Sequence, residues 1–427
     1  MTTPVSPLFL LYMCWVLTGA VTAWTLVRLP DLFLVQLFMY REGITVDVFG
    51  AAGLIWATIG LLSFTVGDLA ARMARCKPTR QVHRPTRLDL ERAARMTFFT
   101  NVVLLAVTGL WIMTAASKVG GLSQLATTAY ADSLSARDLL LDSKLFTGMR
   151  LFYAALPATA CLAAGLLATG KLRRRSRRLM RITLVVNIAA LLILPIVMSQ
   201  RLLLLQLLLS AYIAACVVRR RVFGLHWIAI GVALFLSLWI AREAITNPVI
   251  EGSALNIAAQ KLAYYVVNDM FNAFAPLTQP IPHTYGGLTL EGVMFLTFSD
   301  DFFLTLLTPR LEALDAVQGG GEFPFLTAAF IDYGPFGGAL FIGAIGFVMR
   351  RIFERARHSL GWTVVYAQIG ATLLFSNHSV YFTHQNFYFS AILIGVVIAL
   401  SRTRAVQSHQ IRHHVVPPAQ RPTHAPA

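Results

Sequence analysis

The stretch LLLLQLLLSAYIAACVV, residues 202–218, is followed at once by Arg219-Arg220-Arg221. It contains no charged residue and approaches the roughly 20 apolar residues that a helix needs to cross a bilayer. Similar stretches recur along the 427-residue chain, which is 56% hydrophobic and only 13% charged, with a mean hydropathy of +0.65. Because an ordinary soluble domain has roughly 25% charged residues, this composition excludes a water-soluble enzyme and indicates a polytopic membrane protein.

The apolar segments predict an all-α fold of about ten transmembrane helices, since a helix satisfies its own backbone hydrogen bonds in lipid. A long outer segment separates the seventh and eighth spans. Within it, apolar residues at helical spacing over Ser253–Phe274 predict a helix on the membrane surface, and Gly319-Gly320-Gly321 predicts a flexible hinge or tight turn. The predicted spans lie near 8–27, 46–67, 97–117, 150–170, 182–198, 202–218, 224–240, 335–349, 361–381 and 386–400, the outer segment is 241–334, and residues 401–427 are predicted to form a disordered tail.

The lysines and arginines predict the orientation of these spans. With the N-terminus inside, five inner segments hold 26 of the 36 basic residues and only four acids, a net charge of +22, and the outer face sums to −6. The positive-inside rule therefore places both termini in the cytoplasm. We interpret the basic clusters as topogenic charge and contacts with anionic membrane lipids rather than as a nucleic-acid site. The five segments are 68–96, 171–181, 219–223, 350–360 and the tail from 401.

Several classes of function lack their sequence signals. Neither a Walker nor a Rossmann glycine pattern occurs, and the cysteines and histidines lack zinc-ligand spacing. No cofactor and no metal ion is therefore expected. Ion-coupled transporters place ionisable residues near the bilayer midplane, yet five predicted spans contain no Asp, Glu, Lys or Arg. A lipid-linked saccharide flippase or transporter, and an acyltransferase, stay as alternatives. The five spans are 182–198, 202–218, 224–240, 335–349 and 361–381.

Cations on the outer face are candidates for holding phosphate, because guanidinium groups bind phosphate oxygens in bidentate geometry. Arg201 stands in the short connection Met198–Leu202 between two spans, so its side chain is expected at the interface. Snorkelling to the headgroups is the alternative for this residue. Arg242 lies at the outer end of the seventh span beside Glu243, where a local ion pair is the alternative. Arg28, Arg150, Lys261 and Arg310 are interpreted as surface or interfacial charges.

Acids and histidines on the same face are candidates for a catalytic base. Asp332 lies just before the eighth span, where an N-cap is the alternative to catalysis. His283 and Asp269 lie in the outer segment and could reach the same region, although residues of these types in loops more often form hydrogen bonds than act as bases. His378 and His384 bracket the turn between the last two spans, either lining the outer cavity or capping it.

Four stretches together resemble the oligosaccharide repeat-unit polymerases, the Wzy-type O-antigen and exopolysaccharide polymerases of bacterial inner membranes. The most specific is Asp332-Tyr-Gly-Pro-Phe-Gly337, which enters a Gly-rich span after the long outer segment. The resemblance covers nearly the whole chain in layout. The stretches are Leu29–Phe33, Ser199–Arg201, Tyr264–Asn272 followed by Tyr285-Gly286, and Phe323–Thr327 followed by Asp332–Gly337.

This resemblance implies a metal-independent glycosyltransferase acting at the periplasmic face on undecaprenyl-pyrophosphate-linked oligosaccharides. It also implies a separate co-polymerase as a partner that regulates chain length. In such an enzyme Arg201 and Arg242 are expected to bind the pyrophosphate, and Asp332 or His283 is expected to be the base. An O-antigen ligase is the alternative within this chemistry. The ligase pattern is His, then Asn, Ser or Gln, and then Gly after nine further residues. His384-Gln385 and Gly395 have this spacing.

Overall fold

The computed structural model describes residues 4–74, 86–131, 133–198, 202–222, 224–246, 253–315 and 317–404. Apart from one short antiparallel pair of strands, β1 (Thr86–Leu88) and β2 (Arg402–Arg404), the secondary structure of these residues is helical. The helices are α1 Pro7–Val27, α2 Phe33–Arg41, α3 Ala51–Met73, α4 Leu90–Lys118, α5 Leu122–Ala131, α6 Ser133–Asp142, α7 Met149–Ala154, α8 Leu156–Ala168, α9 Arg174–Met198, α10 Leu202–Arg219, α11 Leu225–Thr246, α12 Ala254–Phe274, α13 Glu291–Leu296, α14 Asp300–Asp315, α15 Phe325–Ala356, α16 Leu360–Leu373 and α17 Gln385–Leu400.

Six helical segments among the described residues are long and apolar enough to cross a membrane: α1, α3, α4, the α7–α8 pair, α10 and α15. Two shorter apolar stretches, His226–Ala241 within α11 and Gln385–Leu400, coincide with the seventh and tenth predicted spans. The chain is therefore a helical, membrane-embedded protein. The total of about ten spans stays a prediction.

Helices α3 and α15 pack at backbone distance, because glycines face each other along their contact. A Cβ atom added to Gly67 would lie 1.9 Å from the carbonyl oxygen of Gly343. One added to Gly346 would lie 2.5 Å from the carbonyl oxygen of Phe64. Small residues let helix backbones approach closely where lipid offers no hydrophobic drive for association. This contact holds α15, which carries Asp332, against the N-terminal part of the bundle.

The described parts of the five basic segments lie together at one end of the bundle. Strand β1 belongs to the first of these segments and β2 to the last, and the two strands pair directly. Because α16 starts at this basic end, the turn between α16 and α17 lies at the opposite end. Five further hydrogen bonds join the basic segments: Asp89 N to Ser401 O (3.0 Å), Arg173 N to Glu91 Oε1 (2.7 Å), the Ser176 hydroxyl to Glu91 Oε2, Arg220 Nη2 to Arg357 O (3.3 Å) and Arg351 Nη1 to Ala74 O (3.3 Å).

The predicted surface helix is instead packed into the bundle as α12. Every residue from Val267 to Phe274 is buried, including Asn268, Asp269 and Asn272. The prediction of a surface position was wrong because the polar residues of this helix find partners inside the protein. Hydrophobic periodicity identifies a helix but does not show which neighbours cover its polar side.

Helix α15 starts at Phe325 rather than at 335, so the predicted outer segment 241–334 ends within helical structure. The backbone breaks at Gly334, whose φ of 70° is a left-handed value that favours glycine, and Pro335 follows. Asp332 therefore lies inside the first part of the helix and is not its N-cap. The apolar pattern misplaced the boundary because Asp332, Gly334 and Pro335 interrupt it, although helical structure continues across them.

Candidate functional site

The side chains of the two predicted phosphate ligands lie outside the part of the chain that the structure describes. Arg201 lies outside the described residues, and Arg242 belongs to α11 with its side chain outside the description. Leu202, the residue after Arg201, does line two cavities at the end of the bundle away from the basic segments. The assignments of Arg201 and Arg242 thus stay predictions.

The carboxylate of Asp332 is fully buried and surrounded by donors. Its Oδ1 accepts hydrogen bonds from the hydroxyl of Thr284 and from the backbone N–H of Leu288 (3.1 Å). Its Oδ2 accepts from the backbone N–H (2.8 Å) and the hydroxyl (2.6 Å) of Thr289. Four donors on two oxygens leave no lone pair directed at a substrate. This geometry favours a role in fastening the 284–289 loop to α15 over a role as base.

His283 immediately precedes this loop and lies beside the break in α15. Its Nδ1 is 3.0 Å from the carbonyl oxygen of Ile331, and its Nε2 is 3.3 Å from the position a Cβ atom would take on Gly334. The structure thus brings His283 and Asp332 into one neighbourhood, but no hydrogen bond between their side chains occurs among the described contacts. As a pair they do not form an acid–base dyad.

A different pair does form one. His378 Nδ1 lies 2.7 Å from Asp269 Oδ1, which joins the turn after α16 to the buried half of α12. The side chain of Asp269 is 10% exposed and that of His378 is 26% exposed. Burial lowers the pKa of His378, but the hydrogen bond and the charge of Asp269 outweigh burial and raise that pKa above its usual value. Burial also raises the pKa of Asp269, and the hydrogen bond from His378 offsets this only in part.

The first helix holds the turn that carries His378. Cys14 donates its thiol hydrogen to Asn377 Oδ1 (3.0 Å), which leaves the amide nitrogen of Asn377 3.5 Å from Asp269 Oδ2. Trp15 Nε1 donates to Ser376 Oγ (3.1 Å). Two residues of α1 thus fix the turn, and through Asn377 they also fix the second oxygen of the acid.

His378 faces a polar cavity of about 320 Å³ that carries cationic and anionic groups together. Arg137 of α6 and Arg150 of α7 line it, as does Glu322, which follows the glycine triplet. His384 lies at its wall with Nδ1 buried and without a hydrogen-bond partner among the described atoms. The other lining residues are Leu202, Leu203, Gln206, Thr372, Phe375, Tyr381, Asn386 and Phe387.

On its other side His378 borders an apolar groove of about 340 Å³ between α10, α11 and α12. Asp269, Asn377 and His378 are its polar end. Leu202, Phe375 and His378 line both the groove and the polar cavity. The dyad therefore lies where an apolar space meets a charged one. The apolar lining of the groove is Leu202, Leu205, Phe235, Trp239, Leu262, Tyr265, Val266 and Phe375.

The glycine triplet is held in place by hydrogen bonds, which favours the tight turn over the flexible hinge among the two sequence predictions. Gly319 N donates to Asn272 Oδ1 (2.7 Å), and Asn272 Nδ2 donates to the carbonyl oxygen of Gly320 (3.0 Å). A Cβ atom on Gly319 would lie 2.5 Å from Asn268 Oδ1, so only glycine allows this approach. These bonds place Glu322 at the cavity, where its carboxylate accepts a hydrogen bond from the hydroxyl of Ser379.

Sequence reasoning named Asp269, His378 and Arg150 but ranked all three below Asp332, His283 and Arg201. No local signal marks the pair, because Asp269 and His378 are 109 residues apart. The burial of Asp269 in α12 was the missing information, since a buried acid requires a partner. Comparisons with protein-family models, curated proteins and solved structures gave no match.

Proposed function

We propose that this chain joins polyprenyl-pyrophosphate-linked oligosaccharide repeat units into a surface polysaccharide. The observation that carries the proposal is the position of the Asp269–His378 dyad between an apolar groove and a cavity lined by two arginines. A polyprenyl pyrophosphate is a long apolar chain joined to an anionic head, and this arrangement has a place for each part. The sequence resemblance to repeat-unit polymerases supports the same assignment.

In the proposed reaction, the incoming unit supplies a hydroxyl group and the growing chain supplies the anomeric carbon. The hydroxyl oxygen bonds to that carbon while the bond from the carbon to the pyrophosphate oxygen breaks. His378 Nε2 takes the hydroxyl proton as general base, because Nδ1 is held by Asp269. The electron pair of the broken bond leaves with undecaprenyl pyrophosphate.

The pyrophosphate requires cations, because negative charge develops on it as it leaves. Arg150 and Arg137 line the polar cavity and are proposed for this role. Arg201 precedes Leu202, which lines the same cavity, so we keep it as a further candidate. Arg242, at the outer end of α11, stays a prediction.

The proposed location is the bacterial inner membrane. The basic end of the bundle faces the cytoplasm by the positive-inside rule, and both termini lie on that side. The dyad lies at the opposite end and therefore faces the periplasm. This is the compartment where lipid-linked repeat units are assembled in the polymerases that the sequence resembles.

One observation favours an O-antigen ligase as the second candidate. His384, the first residue of the ligase-like pattern, lines the polar cavity and has an unpartnered Nδ1. The glycine of that pattern, Gly395, has open space around the position of a Cβ atom, so no local crowding requires a glycine there. Deletion of the gene separates the two functions, because loss of a polymerase leaves single repeat units and loss of a ligase leaves polymer on its carrier lipid.

The direct test uses purified protein in lipid nanodiscs with an undecaprenyl-pyrophosphate-linked repeat unit. Gel analysis is expected to show a ladder of polymer that disappears in His378→Ala. His358→Ala is the matched control, since His358 is an exposed histidine at the basic end of the bundle. Full polymer formation by His378→Ala, at normal expression, would refute the assigned base.

A further inference from the structure

Helices α13 and α14 form a hairpin whose tip is a strained and exposed phenylalanine. We define the outer hairpin as residues 291–315, with its tip at Thr297–Ser299. Phe298 has a φ of 53°, in the left-handed region that glycine and asparagine usually occupy. Its side chain is 93% exposed. The chain thus adopts an unfavourable backbone conformation and directs a large apolar ring away from the protein.

The conformation of the tip is held by its neighbours and not by the ring. Phe298 N donates to the carbonyl oxygen of Phe295 (3.2 Å), and Ser299 N donates to that of Met294 (3.0 Å). The hydroxyl groups of Thr297 and Ser299 lie 2.7 Å apart. These bonds resemble a helix C-terminus that ends in a left-handed residue, a position where glycine is the usual choice. A phenyl group there has no packing function within the described part of the protein.

Further apolar side chains extend this surface along α14. Phe302 is 67% exposed and Leu304 is 57% exposed, and both follow the tip within two helical turns. Phe302 contacts Phe303 edge to face, with ring centroids 5.5 Å apart. The hairpin therefore exposes large apolar side chains both at its tip and along the first turns of α14.

The base of the hairpin lies near two apolar helical segments, the start of α17 and the part of α15 that follows its break. A Cβ atom on Gly292 would lie 2.1 Å from the carbonyl oxygen of Thr383 and 2.5 Å from the backbone nitrogen of Gln385, where α17 begins. On the other side, Asp332 fastens the 284–289 loop to α15 just before the break at Gly334.

Immediately beyond that break, α15 exposes Phe336 (90%) and Leu340 (77%). Because α15 is long and apolar enough to cross a membrane, this exposed surface faces lipid. The base of the hairpin thus lies close to the depth where the lipid-facing surface begins.

We propose that the outer hairpin is an interfacial anchor that inserts Phe298 and Phe302 into the lipid leaflet on the side away from the basic end. Aromatic side chains concentrate at this boundary in membrane proteins. The charges of the hairpin do not favour an anionic headgroup as the binding partner, since five acids accompany its one basic residue, Arg310. The acids are Glu291, Asp300, Asp301, Glu312 and Asp315. Arg310 itself lies over the ring of Tyr285, 5.0 Å from its centroid. The occupant is therefore the acyl region of the bilayer, reached through apolar contact.

Spin-label accessibility tests this proposal without any measurement of enzyme activity. Nitroxide labels are attached at Phe298→Cys and Phe302→Cys in the full chain in nanodiscs. Cys76 is replaced by serine to remove a competing thiol, and the three other cysteines are buried. Glu312→Cys is the matched control, an exposed charged position on the same hairpin.

The expected result is a label at 298 and 302 that collides readily with oxygen, which dissolves in lipid, and poorly with a water-soluble nickel chelate. The label at 312 is expected to show the reverse preference. Ready collision with the nickel chelate at 298 and 302 would mean that the tip lies in water, which overturns the proposal. Poor collision with both reagents would mean that a second copy or another protein covers the tip, which also overturns it.

Discussion

Replacing Asp269 with asparagine tests the assigned dyad most directly. The substitution keeps the shape of the side chain but removes the negative charge that faces His378 Nδ1 at 2.7 Å. Both groups lie in the part of the bundle remote from the basic end, and the acid is buried in α12. The imidazole then loses the partner that orients it and that stabilises its protonated form during proton transfer.

The size of the effect follows from the kind of hydrogen bond that is lost. A hydrogen bond to a charged group contributes about 1.5–3 kcal/mol, and each 1.4 kcal/mol corresponds to about a factor of ten. We therefore expect kcat to fall by roughly 10- to 150-fold in Asp269→Asn. Loss of the base itself in His378→Ala is expected to cost about 10²- to 10⁴-fold. The double variant should match His378→Ala, since the two residues act as one unit.

The pH dependence gives a second readout with a defined sign. His378 must be neutral to accept a proton, so activity rises as pH rises through its pKa. In the native protein Asp269 raises that pKa, so activity is expected to rise with pH in a range above the ordinary histidine pKa of about 6.5. In Asp269→Asn the burial that lowers the pKa of His378 persists, the charge of Asp269 is gone, and only the smaller raising effect of the Glu322 charge remains. The pH range over which activity rises is therefore expected to move to lower pH.

The assay is polymer formation in nanodiscs at several pH values, with single-turnover rates where product release is slow. Asp301→Asn is the control, because Asp301 is an exposed acid on α14 outside both cavities. Size-exclusion profiles check that each variant is folded. An Asp269→Asn protein with the native kcat and the native pH dependence would refute the proposal that Asp269 and His378 act as a dyad, whatever the overall reaction.

Two predictions concern stability. Asp332→Asn places an amide NH₂ group among hydrogen-bond donors, so we expect a loss of about 1–3 kcal/mol in the free energy of unfolding. The loss is measured as a lower Tm in detergent. An inactive variant with the native Tm would instead support Asp332 as the base. Gly67→Ala forces a methyl group to within 1.9 Å of the carbonyl oxygen of Gly343 and is expected to cost about 1–3 kcal/mol by separating α3 from α15. Gly19→Ala, which meets no atom within 4 Å, serves as its control, and equal Tm values for the two variants would contradict the close packing.

The candidate site shows which of its residues local sequence patterns could predict and which they could not. Arg201 and Asp332 were predicted as site residues because they stand beside apolar spans, and His283 because it lies in the outer segment, and each of these is a local property of the sequence. Among them, Asp332 proves to be saturated by donors from the 284–289 loop, and no local feature of the sequence announced that. The glycine triplet likewise suggested flexibility, although Asn272 holds it in place.

Composition and the apolar runs within single segments were enough to predict that this protein is helical and embedded in a membrane. Which polar groups meet depends on how the helices pack. Asp269 and His378 are brought together by the packing of α12 against the turn after α16, and Arg150 joins them through a third helix. Apolar residues in lipid-facing helices respond mainly to their surroundings, whereas a buried charge is stable only beside a particular partner, and that partner is chosen by packing.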